Sequence, residues 1–360
     1  MPASASSTSR FNPWAGLGIV VLIAVVGLFF VKWDPYYHRA FTAAESGSIG
    51  ASILMGSAAE PPAPSWAAAW QYALAYGRAI WMAMVLGLLL GSAVQALVPP
   101  RWVARALGGA GFGSVGVGGL MSLPTMMCTC CAAPVVAGLR EQRASAGGAI
   151  AFWLGNTILN PATLIFMGFV LGWQWAGLRL ALGIVMVFGI GYAINRMADP
   201  ARVRAEQAGL AEVMHAAESE DGPYWGQALK RWGQILVRMT VRLVPEYLVL
   251  VLLLGAARAW LFPHIGADIG NGWIWISAFA VAGMLFVIPT AGEVPIIQAM
   301  LALGMGAGPA GALLMTLPPI SLPSLAMLWR SFSPIELATV TAAVLGFGVL
   351  AGAMAVGLGF

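Results

Sequence analysis

Cys128-Thr129-Cys130-Cys131-Ala132-Ala133-Pro134 holds all three cysteines of the chain. It lies in a hydrophobic sequence, between a glycine-rich run (Gly108 to Gly119) and a short basic turn with Arg140 and Arg143. From Leu107 to Leu139 the pattern is broken by Pro124 and Pro134, and neither apolar piece is a clean helix of the ~20 residues a bilayer span needs. A re-entrant hairpin of two half-helices fits this stretch, with both ends on the side that carries Arg101, Arg105, Arg140 and Arg143. The thiols then sit at its tip.

The rest of the chain sets this hairpin in a membrane. Hydrophobic residues make up 60% of the 360 and charged residues only 9%, with a mean hydropathy of +0.83. A soluble domain carries about 25% charged residues. The composition therefore predicts an all-α polytopic membrane protein with the lipid bilayer as its solvent. The net charge of +4 is spread over loops and gives topology; it does not suggest nucleic acid. No Walker-type run is present, so the chain carries no ATPase of its own. One cluster of three cysteines is no disulfide framework. No nucleophile–base pair and no metal-ligand set is visible, so neither an enzyme nor a cofactor or metal site is expected.

Trp14 to Val31 reads as a first transmembrane helix, followed from Lys32 by an external Ala/Ser/Gly/Pro-rich loop; together they make a segment 1–66. A first repeat, 67–196, contains a span from Trp70 to Val98, the cysteine hairpin, a span from Ala146 to Gly172 interrupted at Asn160-Pro161, and a span from Trp175 to Ile194. A polar linker, 197–236, reads as cytoplasmic, with helical composition from Ala201 to Ala217. The second repeat, 237–360, contains Val237 to Leu261 and a stretch broken at Pro289-Thr290-Ala291-Gly292-Glu293-Val294-Pro295. A span from Ala307 to Leu328 follows, broken at Pro318-Pro319 and Pro323, and then Ile335 to Leu358.

The halves match. Pro134-Val135-Val136 corresponds to Pro295-Ile296-Ile297, and Pro161 to Pro323; the matched prolines are 27 and 28 residues apart. Two halves of similar hydropathy, interrupted in matching places, are the mark of a transporter. Seven full spans plus two hairpins give an inverted repeat; eleven crossings would preserve the same relation. Arg78, Arg179 and Arg258 go against the charge pattern and are expected to snorkel to the outer interface. Trp14, Trp33, Trp70, Trp102, Trp173 and Trp175 read as interfacial anchors.

Facing tips would bring Cys128, Cys130 and Cys131 opposite Thr290 and Glu293. Thiolates suit soft ions and metalloids. Cys128 and Cys130 share a side of an extended chain but diverge by about 200° on a helix. A Cys128–Cys130 site therefore requires a non-helical tip, with Cys131 pointing elsewhere. Glu293, a carboxylate in the hydrophobic region, is a candidate to carry a coupling proton, to pair with an arginine or to guard an aqueous vestibule. Asn156 and Asn160 either line the path or bond between helices.

At these residues the chain resembles the YraQ-type predicted permeases, which include the ArsP organoarsenical permeases. The family pattern, roughly P-F-C-S-C-x-x-x-P, is matched by Cys128, Cys130 and Pro134. The resemblance continues through Leu139-Arg140, Gly147, Asn160-Pro161-Ala162-Thr163, Gly292-Glu293-Val294-Pro295 and Leu322-Pro323-Ser324-Leu325. The proline before the cysteines is displaced, Cys131 is extra, and Thr290 stands where a cysteine is often found. The resemblance implies a permease, with export of trivalent organoarsenicals as the leading named substrate class. A carrier of a sulfur-containing anion and a non-transporting thiol redox sensor or scaffold stay open, as does homo-oligomerisation.

Overall fold

A computed structural model describes residues 11–54, 62–197, 224–262, 266 and 268–360. The N-terminal ten residues, Glu60-Pro61, most of the polar linker with its expected helix, and Pro263-His264 lie outside the described residues. Among the described residues the chain is all-helical, without a sheet, and six helical stretches are long and apolar enough to cross a membrane.

The first departs from expectation. Helix α1 (Pro13–Leu28) does not end at Lys32; it passes through a π turn (Phe29–Trp33) into α2 (Asp34–Ser46). A loop was expected because the stretch after Lys32 is rich in Ala, Ser, Gly and Pro and poor in basic residues. Pro35 instead sits in the first turn of α2, just after the π turn, where its missing N–H costs little. Gly47, in the left-handed region at φ 62°, ends the helix.

The first half then runs α3 (Trp66–Leu97), a short α4 (Pro100–Leu107), α5 (Phe112–Ser122), α6 (Thr129–Glu141), α7 (Ala146–Ile158), α8 (Pro161–Val170) and α9 (Trp173–Met197). The second half runs α10 (Trp225–Leu261), α11 (Trp273–Leu285), α12 (Glu293–Ala302), α13 (Ala307–Thr316), α14 (Leu322–Leu328) and α15 (Pro334–Gly357). Helix α10 begins inside the stretch read as linker. The expected span from Ala307 to Leu328 is the separate pair α13 and α14.

Packing partners recur between the halves. Helix α7 packs on α5 and α9, and α13 packs on α11 and α15. Across the halves, α3 lies along α10 and α9 along α15; α6 meets α14, and α12 meets α8. Helices α3 and α6 approach closely because Gly87 and Gly91 present no Cβ. A Cβ on Gly87 would collide with the Cys131 carbonyl, and one on Gly91 with that of Pro134. This small-xxx-small spacing is how membrane helices bring backbones together without a hydrophobic driving force.

Two expected placements are corrected. Arg179 and Arg258 do not snorkel: they are 0% and 5% exposed, while Arg78 is exposed as expected. Trp175 is buried and so is no interfacial anchor, while Trp33 is partly buried with its ring N–H donating to the Pro124 carbonyl at 2.7 Å.

Candidate functional site

Four interruptions meet at one small cavity. Cys128 comes from the α5–α6 break, Thr157 and Thr163 from either side of the α7–α8 break, Ile288 to Ala291 and Glu293 from the α11–α12 break, and Pro318 from the α13–α14 break. The cavity measures about 10 Å³, room for about one water.

Each break is held by specific groups. Free backbone groups inside a membrane protein must find partners, and the surrounding helices supply them. At the first tip, Asn156 Oδ1 accepts from the Thr125 hydroxyl and from the Met127 N–H at 3.3 Å, and the Trp153 ring N–H donates to the Thr129 carbonyl at 3.2 Å. At the second tip, the Tyr72 hydroxyl donates to the Val287 carbonyl and that of Tyr76 to Ile288 at 3.3 Å. Each tip has a non-glycine residue in the left-handed region, Met126 at φ 47° and Ala291 at φ 64°. Such conformations cost energy and cluster at functional sites.

The thiols divide differently from the sequence expectation. Helix begins at Thr129 with Cys128 as N-cap, so Cys128 and Cys130 diverge and Cys128 and Cys131 meet. The Cys128 thiol donates to Cys131 Sγ at 2.7 Å. Cys130 Sγ turns toward Ser321 Oγ at 3.8 Å and Thr129 Oγ1 at 3.6 Å. Of the three thiols, Cys128 alone lines the cavity. Pro134 lies in α6 against α3, away from the cavity; lacking an N–H, it leaves the Cys130 carbonyl without its i+4 donor.

Glu293 opens α12 at the second tip, 1% exposed, and pairs with Arg179 at 2.6 Å. The guanidinium also donates to the Thr157 carbonyl at 2.5 Å and the Ile158 carbonyl at 3.1 Å. One side chain thus caps the C-terminal carbonyls of α7 and neutralises the carboxylate that faces the N-terminus of α12. Asn160 Oδ1 caps α8 through the N–H groups of Ala162 and Thr163 at 3.1 and 3.3 Å. Its Nδ2 and Thr163 Oγ1 are buried without a hydrogen-bond partner among the described residues.

Sequence reasoning missed Lys32 and Arg179. Lys32, 5% exposed in the π turn, donates to Thr290 Oγ1 at 3.0 Å and Tyr36 Oη at 3.2 Å. A lysine at a helix end and an arginine in a span each look like interface residues. Only a partner 258 or 114 positions away marks them otherwise.

Helices α10, α14 and α15 also frame a vestibule of about 830 Å³, whose lining includes Arg238, Arg242, Glu246 and Arg330. Ala137 and Glu141 of α6 and Leu322 and Leu325 of α14 line it as well, so it borders the α6–α14 contact.

Six helical stretches long and apolar enough to cross a membrane, together with the family match that follows, place the chain among the predicted multi-pass membrane permeases, transporters of small molecules rather than enzymes. The chain belongs to the ArsP_1 family, described as predicted permease, which matches residues 15–158 and 65–357. It is 48% identical over 352 residues to the UPF0718 protein YraQ of Escherichia coli K12, covering 97% of this chain and 98% of that one. It is 20% identical over 337 residues to the UPF0718 protein MJ0584 of Methanocaldococcus jannaschii, covering 76% and 91%. No solved structure matches.

Proposed function

We propose that the chain is a secondary transporter of the bacterial inner membrane that exports thiophilic small molecules, with trivalent organoarsenicals as the leading class. The observation that carries this reading is the common cavity. It joins a thiol of one hairpin, Cys128, to a carboxylate of the other, Glu293, at the meeting point of four broken helices. Soft metalloids favour sulfur, and binding sites at broken helices of paired repeats are the transporter arrangement.

The two halves act as an inverted repeat in this reading. The recurring element order supports it, as do the crossed contacts of α6 with α14 and α12 with α8. The cavity of about 10 Å³ is too small for an organoarsenical, so the conformation is occluded. The vestibule, rich in arginine, faces the cytoplasm by the positive-inside rule and serves as the entry. Cys128 is the principal thiol, Cys131 supports it and Cys130 lies on the vestibule side. The Glu293–Arg179 pair fastens the second hairpin to α7; its opening, assisted by a proton on Glu293, is the gate.

Growth of a strain lacking other arsenical exporters tests the reading. Expression is expected to raise tolerance to methylated and aromatic trivalent arsenicals, and Cys128→Ser to remove the gain. A phenotype confined to sulfur anions, with Cys128→Ser silent, would favour the sulfur-anion carrier instead.

A further inference from the structure

Lys32 is a buried ammonium whose partners are neutral. Among the described residues no carboxylate forms an ion pair with it; its hydrogen bonds go to the Thr290 and Tyr36 hydroxyls. Burying a charge without a counter-ion is costly in a membrane, and such residues mark ligand pathways. An ammonium has three donors, and these two bonds leave one over. Thr290 lines the cavity, so Lys32 stands directly behind its wall.

From the α8 side, Thr163 lines the same cavity, 1% exposed, and its hydroxyl has no hydrogen-bond partner among the described residues. Thr163 sits in the first turn of α8, where the helix dipole favours electron-rich ligand atoms. The cavity therefore offers one sulfur, from Cys128, and oxygen-binding groups on two sides of it.

We propose that this is a mixed sulfur–oxygen site: Cys128 takes the soft atom of the substrate, while Lys32, Thr290 and Thr163 hold an oxygen still bonded to that atom. The inference rests on the transport reading above and adds to it the residues that hold the oxygen of a substrate of the form R–As(OH)2. Capture is an exchange without redox change. One As–O bond breaks and one As–S bond to Cys128 forms. The thiol proton leaves on the departing hydroxide as water, giving Cys128–S–As(OH)R. Hydrolysis reverses the step and frees the substrate. A single As–S bond supported by hydrogen bonds releases more readily than a two-thiolate chelate, and a transport site must let go as well as bind. The first helix, which stands outside the repeat, thereby contributes a residue that determines specificity.

The test uses purified full-length protein and two probes, phenylarsine oxide, which hydrates to the dihydroxy form, and phenylmercury(II), a thiophile that keeps no oxygen on its soft atom once one thiolate has bound it. Protection of Cys128 from maleimide labelling, read by mass spectrometry, gives the half-saturating concentration of each. Lys32→Met and Thr290→Val are expected to raise that for phenylarsine oxide about tenfold or more, the scale of a lost hydrogen bond to a charged donor. Both should leave phenylmercury unchanged, and Lys32→Arg should lose less than Lys32→Met. Equal weakening of both probes, or of neither, overturns the inference while leaving the transport reading standing. If phenylarsine oxide fails to protect Cys128 in the wild type, the transport reading itself falls. If Lys32→Met does not fold, Thr290→Val decides the matter alone.

Discussion

The three thiols are chemically alike and positionally distinct. Cys128 faces the cavity, Cys131 touches its sulfur from the next turn of α6, and Cys130 points to Ser321. Cys130→Ser exchanges a thiol among hydroxyls for another hydroxyl and is expected to retain most transport in a cell-export assay, within a factor of about two to three. The sequence located the cluster but not this division, because the tip was expected to be non-helical, whereas the helix starts at Thr129. The same limit applies to Glu293: its cost in a membrane was legible, but its partner, Arg179, looked like an interface residue. Breaking one side of a buried pair costs about 3–5 kcal/mol, while removing both sides costs far less. Arg179→Met is therefore expected to lower the thermal midpoint in detergent markedly. The double variant Arg179→Met/Glu293→Gln should recover much of that loss without recovering transport. An equally unstable double variant would show that Arg179 acts mainly by capping α7.

The broken helices were the most legible elements, because proline and glycine weaken hydrogen-bond ladders, although Pro134 and Pro245 lie inside continuous helices. The breaks at Pro124, Asn160-Pro161, Pro289 to Gly292 and Pro318-Pro319 are all present. The continuation of α1 into α2 was not legible, since the π turn has no sequence mark and its stabilising contacts, Lys32 to Thr290 and Trp33 to Pro124, are tertiary. Helix α3 positions the cysteine half-helix by close approach at Gly87 and Gly91. Gly87→Val is expected to push α6 away, costing on the order of 1–3 kcal/mol as an overpacked site and most of the transport. Gly77, on the same helix with open space around it, gives the control: Gly77→Ala should be neutral in both thermal midpoint and transport. Matching effects at the two glycines would mean that α3 does not set the position of the thiols.

For the whole molecule, the matched prolines led the sequence reading to expect a repeat, which stays part of the proposal; α6 packs on α14 and α8 on α12. The vestibule was not visible, because its lining comes from five separate helices whose polar residues are individually unremarkable surface or interface types. If the vestibule is the cytoplasmic entry, Ala338→Cys in a background with the three native cysteines replaced should react with a membrane-impermeant maleimide in everted vesicles, and not in intact cells. Labelling from the outside would reverse the assigned direction. The claim on which the rest depends is that Cys128 handles the substrate. The most direct measurement is accumulation of a trivalent phenyl arsenical by everted inner-membrane vesicles carrying wild type or Cys128→Ser, with the folded amounts of the two matched. Wild-type vesicles are expected to accumulate it and Cys128→Ser vesicles to match empty ones; equal accumulation by the two would contradict the thiol mechanism.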